Sequence, residues 1–273
     1  MVTAMLVARA RRAEAISADR VYAVANRNVS ALRAGPSYWL VLASGFFEPL
    51  LYLLSIGLGV GALVGELTLA DGRTMPYAAF VAPAMLAASA MSGAVAETTF
   101  NFFHKLKYSK TFEAVLATPV RPFELALGEL AWATARSCLY TGLFLGIMVA
   151  LGLTGPGWAL AAYPATILIG LAFGAAGMAV STVIRGWQDF DLVNTALFAL
   201  VFFSGTFAPV QDYPAAAEIV IRLTPLYHAV ELLRGLTTGA LTADLLGHTA
   251  YLLAMTAAGL VVGGRRLRLL LCT

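Results

Sequence analysis

A chain of 273 residues with 60% hydrophobic and 12% charged residues, and a mean hydropathy of +0.80, carries about half the charge of an average soluble domain, for which about 25% is usual. It reads as an all-α integral membrane protein. The formal charge of +3 comes from basic residues scattered over short segments, which excludes a nucleic-acid-binding patch, and no polar stretch is long enough for a separate catalytic domain.

The first residues, MVTAMLVARARRAEA, hold an apolar patch too short for a signal-peptide core and run at once into charge, so no cleaved signal is expected. Residues 14–33 show helical periodicity, with Val21, Val24, Ala25, Val29 and Leu32 on one side and Asp19, Asn26, Arg27, Ser30 and Arg33 on the other. A basic amphipathic stretch beside a membrane segment predicts an interfacial helix; a disordered basic arm is the competing reading. A first span is expected over 38–62, with Glu48 and Pro49 near its centre. Its Gly57, Gly59, Gly61 and Gly65 do not make a nucleotide loop, since no strand precedes them and the phosphate-loop lysine is missing. Close helix approach accounts for them better. A short outer loop with Glu66, Asp71 and Arg73 leads to a second span over 77–99, which contains Pro83 and ends near Glu97.

The one long polar island inside the apolar sequence follows, HKLKYSKTFEAVLATPVRPFE at 104–124, and its Lys105, Lys107, Lys110 and Arg121 place it on the cytoplasmic side. Within it, a helix is expected over 107–117. Tyr108, Thr111, Phe112, Val115 and Leu116 fall at helical spacing and form an apolar face suited to a groove on another protein, flanked by Lys110 and Glu113. Thr118, Pro119 and Pro122 end that helix, because proline lacks the amide donor and restricts its predecessor. A plain basic anchor between two spans is the alternative.

Further spans are expected over 125–153, 158–184, 190–206 and 245–263, with the uncharged turn TGPGW between the third and fourth. The fifth is short for a hydrocarbon core of about 30 Å, which needs roughly 20 residues. The segment that follows it, 207–239, mixes apolar stretches with Pro209, Pro214 and Pro225. It predicts two short helices dipping into the outer leaflet, where protein or water covers the broken backbone; a free extracellular loop is the alternative. RRLR at 265–268 returns the chain to a basic inner anchor. Six spans with both termini inside result, with 14 of the 18 Lys and Arg in inner segments.

Glu48 and Arg136 are the most informative intramembrane charges. Counted from the inner ends of their spans, both lie at about 15 Å depth, where a lone charge costs about 2.5–3.5 kcal/mol on insertion scales. They form an ion pair between the first and third spans, line a polar path, or make separate interior contacts. Glu97, Glu124 and Glu129 lie near the inner boundary, either as solvated interfacial acids or as transmitters of movement into the third span. Tyr227, His228 and Glu231 are expected to cap and anchor an outer helix, since a lone His–Glu pair is a poor metal site. Cys138 and Cys272 sit at opposite bilayer levels and are expected to be inert thiols.

The order of basic arm, GFFEPLLYLLSIGLGVG (45–61), KTFEAVLATPVRPFELALGELAWA (110–133), and FFSGTFAPVQDYP with LTPLYHAVELLRG (202–214 and 223–235) resembles the permease subunit of ABC type-2 exporters, closest to the branch of nodulation-factor (lipo-oligosaccharide) and drug-export permeases. The resemblance covers nearly the whole chain. It implies a bacterial cytoplasmic-membrane protein that pairs with a second permease subunit, identical or related, and works with two copies of an ATP-binding subunit. In that arrangement 14–33 is the interfacial helix, 107–117 the coupling helix and 207–239 the re-entrant outer segment. No metal or cofactor is expected in this chain, ATP and Mg being bound by the partner subunit. Phe46, Phe47, Phe198, Phe202 and Phe203 suit a cargo with a large apolar part, or pack against lipid and protein. A secondary transporter would need paired broken helices and an internal repeat, and only one central Glu–Pro break is present; an intramembrane enzyme would need a nucleophile with its base, and none is present at membrane depth. A secondary transporter and a non-transporting scaffold are the alternative readings.

Overall fold

The computed structural model describes residues 16–35, 47, 50–68, 72 and 74–271. Helix α1 covers Ala18–Ala34. A π-helical segment, Leu53–Val60, runs into the short α2, Gly61–Val64, and a two-stranded antiparallel hairpin follows, β1 (Glu66–Thr68) with β2 (Thr74–Pro76), in which Leu67 faces Met75. The remaining helices are α3 (Tyr77–Ala96), α4 (Thr111–Leu116), α5 (Pro122–Ala150), α6 (Pro156–Ser181), α7 (Asp189–Phe202), α8 (Ala215–Leu223), α9 (Pro225–Thr238) and α10 (Asp244–Leu271). Helical backbone continues beyond α3 through two π turns, Glu97–Asn101 and His104–Tyr108.

Among the described residues four helices are long and apolar enough to cross a membrane: Tyr77–Tyr108, Pro122–Ala150, Pro156–Ser181 and Asp244–Leu271. At 1.5 Å per residue they measure about 39–48 Å. Helix α7, with 14 residues, reaches only about 21 Å. Most of the expected first span lies outside the described residues.

Helix α3 is the axis of the bundle. It is apolar on every side, and a helix of that kind is stable only when surrounded; Phe80, Val81, Leu86, Ala87 and Met91 are all buried. Helices α5, α6 and α9 and the Leu53–Val60 segment enclose it. Gly57 and Gly61 lie against Ala78 and Tyr77 at the start of α3, as the close-approach reading expects, whereas Gly59 and Gly65 have nothing within 4 Å and are not accounted for by it. Helix α10 packs on α6 at Gly259, where a Cβ would lie 2.6 Å from the carbonyl carbon of Ala175 and 2.8 Å from the amide nitrogen of Ala176. Backbones that touch in this way are the usual means of joining membrane helices. The other side of α10, with Leu246, Leu253, Val261 and Leu269, is exposed and apolar.

Prolines set several helix starts. Pro122 and Pro156 occupy the first turns of α5 and α6, where a missing amide donor costs nothing. Both helices therefore begin a few residues before the apolar runs at 125 and 158. Helix α10 extends eight residues past the expected end at 263, to Leu271, carrying RRLR as helix rather than tail.

Candidate functional site

At the α1 end of the bundle, polar groups converge on two carboxylates of α5. Glu124, fully buried, accepts from the backbone N–H of Ser17 at 2.9 Å and that of Arg121 at 3.0 Å, and pairs with Arg20 Nη2 at 2.9 Å. It stands in the first turn of α5, where negative charge complements the helix dipole. Arg20 also donates to the carbonyl of Pro119 at 2.8 Å. Seven residues further along α1 and five along α5, Glu129 accepts from Arg27 Nη2 at 2.9 Å, Asn28 Nδ2 at 3.1 Å and Lys105 Nζ at 2.6 Å. Between the two acids lies Gly128, where a Cβ would meet Val24 Cβ at 2.5 Å, so only glycine lets α1 lie this close. Residues 18–34 are thus a helix bolted to α5, not a disordered arm.

Glu97, Glu124 and Glu129 are buried, with 4%, 0% and 3% exposure; the solvated-acid reading is corrected. The reason is that each finds cations or amide donors inside the fold, which makes burial of a carboxylate tolerable. Glu97 pairs with Arg136, whose Nε also donates to Tyr140 Oη at 2.5 Å. Glu48 lies outside the described residues.

The 107–117 stretch is not one helix. The π turn ends at Tyr108, Lys110 takes a left-handed backbone with φ +49°, and α4 begins only at Thr111. A non-glycine residue there costs about 1–2 kcal/mol. The kink is held by Ser109 Oγ against Thr111 Oγ1 at 2.7 Å, and it swings Phe112 inward onto Phe102, ring centroids 4.7 Å apart. Phe112 is therefore buried in its own chain, among Val24, Leu106 and Leu125, and is not part of an outward apolar face. Val115 and Leu116 are half-buried against the same cluster. The exposed side of α4 is Glu113, Ala114 and Ala117, with Lys110 beside it and Thr118 after it; Lys110 and Glu113 stand 3.9 Å apart in a solvent-exposed pair. Tyr108 is half exposed and stacks on His104. Helix α4 stops at Leu116, ahead of Pro119, as its sequence requires.

At the opposite end, the proline-rich segment forms two short helices. Pro209 precedes a single 3-10 turn, Val210–Asp212, and Pro225 opens α9. The cap of α9 is Thr224, whose hydroxyl accepts from the Tyr227 amide at 3.3 Å, so Tyr227, His228 and Glu231 do not cap it. Their part is in anchoring. His228 Nδ1 lies 2.8 Å from His248 Nδ1 of α10 and its ring stacks on Tyr251 at 3.9 Å. Glu231 pairs with Arg234. Arg234, which the sequence gives no reason to single out, is the clamp: buried, it donates to the Gly205 carbonyl at 2.9 Å and covers the Phe80 ring at 3.9 Å. A polar cavity of about 890 Å³ opens between α9 and α10 beside these groups.

A second cavity, about 560 Å³, lies between α3 and α7. Met85, Met91, Phe198 and Phe202 give it an apolar wall, and Phe207 lies at its α8–α9 end. Phe203 is exposed outside it, Phe47 is exposed, and Phe46 is beyond the described residues.

Residues 20–237 match the model of the ABC-2 type transporter membrane family. The chain belongs to the ABC-2 type transporter family. Among similar proteins are Nodulation protein J of Rhizobium leguminosarum bv. trifolii, 34% identical over 75% of this chain and 77% of its own length, and Nodulation protein J of Rhizobium meliloti strain 1021, 35% identical over 71% and 72%. The Inner membrane transport permease YadH of Escherichia coli K12 is 25% identical over 66% and 68%. The match takes in nearly all of α1 and α9 and everything between them, including the acids of α5 and the clamp at Arg234, while Ser17, His248 and Tyr251 lie outside it. ABC-2 membership together with the apolar helices makes this a multi-pass membrane protein.

Proposed function

We propose that this chain is the permease subunit of an ATP-driven exporter, moving an amphiphilic, lipid-like or drug-like substrate out of a bacterial cytoplasm by alternating access. The α1 end then faces the cytoplasm, both termini lie inside, and α7 with the α8–α9 hairpin serves as the fifth span and re-entrant outer segment of a six-span unit. Two ATP-binding subunits supply hydrolysis, with ATP and Mg bound there, and a second permease chain completes the path.

The observation that carries this reading is the build of α4. Phe112 fastens it to the body, while Lys110, Glu113, Ala114 and Ala117 present a short exposed face, next to the ion pairs that join α1 and Lys105 to α5. A partner that displaces α4 moves α5 with it, which is how binding energy at one site biases a two-state assembly. The apolar cavity between α3 and α7 suits the acyl or aromatic part of a cargo. Purification from the native membrane should bring down an ATP-binding subunit, and vesicles holding both should accumulate a fluorescent amphiphile only with ATP. Transport without ATP, with no nucleotide-binding partner retained, would make the chain a secondary carrier instead.

A further inference from the structure

The 560 Å³ cavity between α3 and α7 is apolar over most of its length but not at the end near the start of α7. There Phe100, Trp187 and Phe190 line it together with Asp191 and Asn194. The three rings pack on one another, with centroids 5.0 Å apart for Phe100–Trp187, 5.4 Å for Phe100–Phe190 and 5.7 Å for Trp187–Phe190. Phe103 and Tyr108 brace them from behind at 5.6 Å and 5.1 Å from Trp187. Asp191 is exposed, and among the described residues it forms no ion pair with Lys, Arg or His. Its neighbour Asp189 differs, accepting from the Arg185 amide at 2.8 Å.

Interfacial aromatics alone need no explanation, because such rings commonly anchor membrane helices. The helix dipole accounts for a carboxylate in the first turn of α7, but not for its place, without an ion-pair partner among the described residues, at the polar end of an apolar cavity. Ring faces attract cations through their quadrupole, best when the site is partly dry, and a carboxylate adds direct charge complementarity. An anionic head group would meet repulsion at the same place, and a neutral one would gain from neither effect. We propose that this cavity takes a cationic amphiphile, its ammonium group seated against Asp191 and the faces of Phe100, Trp187 and Phe190, and its apolar part along Met85, Met91 and Phe198. The proposal rests on the exporter reading and names the charge class of its cargo.

The test is equilibrium binding to the whole chain in uncharged phosphatidylcholine nanodiscs, with empty nanodiscs subtracted. Three matched probes serve: diphenylhexatriene, its trimethylammonium derivative and its propionate derivative. The trimethylammonium probe should bind saturably and about tenfold tighter than the neutral probe, a difference of about 1.4 kcal/mol. Asp191→Asn should erase that preference while leaving the neutral probe within about twofold, which also reports an intact cavity. Equal affinity for all three probes, a preference untouched by Asp191→Asn, or no saturable binding would overturn the proposal and leave the cavity to lipid or a second permease chain. None of these readouts requires ATP or the partner subunit, so failure here is separable from failure of the exporter reading.

Discussion

Glu129→Ala is the most telling single change at the α1 end. The carboxylate is 3% exposed and accepts from Arg27, Asn28 and Lys105, so one substitution removes bonds from both α1 and the α3 extension to α5. Two charge-assisted hydrogen bonds contribute about 1.5–3 kcal/mol each, and breaking a buried pair by removing one partner costs about 3–5 kcal/mol. The side chains of Arg27 and Lys105 are 30% and 18% exposed, so both cations can turn toward water and recover part of that loss. The expected net cost is about 2–3 kcal/mol, below the figure for a fully buried pair because both cations recover hydration. Reversible unfolding in mixed detergent–SDS micelles, followed by far-UV circular dichroism, measures it. A cycle with Lys105→Met should give a coupling of about 1–2 kcal/mol, within the range for contacting residues. Stability within about 0.5 kcal/mol of the native chain, the usual spread for surface substitutions, with no coupling, would refute the bolt and return Glu129 to a solvated acid.

Other substitutions separate the two sides of α4. Phe112→Ala, which empties a fully buried site, should destabilise the α4 end of the bundle by about 3–5 kcal/mol and raise amide exchange over 109–118. Ala117→Arg, on the exposed side, should leave unfolding unchanged and abolish retention of the ATP-binding subunit on an affinity column; the reverse pattern would mean that the partner reads the buried side. Gly259→Leu should break the α6–α10 contact, since even its Cβ would strike Ala175 backbone at 2.6 Å; overpacking costs about 1–3 kcal/mol or more, read as a lower thermal midpoint. Burial, and then the neighbouring His248, hold the His228 imidazole below its ordinary value of 6.5. The fold therefore favours the neutral ring: its contribution is present above pH about 6.5, starts to fall as the unfolded chain takes up protons, and is lost below the depressed folded value. Glu231, Asp244, Arg222 and Tyr251 share that cavity, so the comparison is between native chain and His228→Gln at pH 7.5 and pH 5, with the native chain expected to lose more stability on acidification.

What the sequence shows well is apolar length. The runs at 77, 125, 158 and 245 each become a helix, because twenty or so apolar residues without caps have no other stable form in a membrane, and the shortness of α7 and the break at Pro209 are visible as missing length and missing donors. Kinks and partners are less visible. Lys110 takes a left-handed backbone where Phe112 turns in to meet Phe102; helical spacing of Tyr108, Thr111 and Val115 is compatible with a straight helix and carries no sign of that contact. The acids of α5 find their cations on α1, 102 residues away for Arg27 and Glu129, and single-sequence reasoning assigns depth, not partners. His228 likewise pairs with His248, 20 residues on. One signal was available: Gly128 between two acids on a helix face marks a place where another backbone comes close, and the periodic arm at 14–33 has its small and apolar side to offer.

The two kinds of contact at the α1 end have different mechanical consequences. Apolar packing is non-directional and tolerates sliding once volume is kept, so the Phe102–Phe112 cluster alone would let α4 shift without dragging α5. Charge-assisted bonds fix distance and orientation. Lys105, on the π turn that leads into α4, ends at 2.6 Å from Glu129, and Arg20 grips both Glu124 and the Pro119 carbonyl in the link from α4 to α5. The link is therefore held before and after α4 by bonds that do not slide. On the exporter reading proposed above, a push on α4 would be delivered to α5 as displacement of the whole helix with α1 attached, and cutting Lys105 and Arg20 together should leave α4 in place yet uncouple it, a result that Phe112→Ala cannot produce.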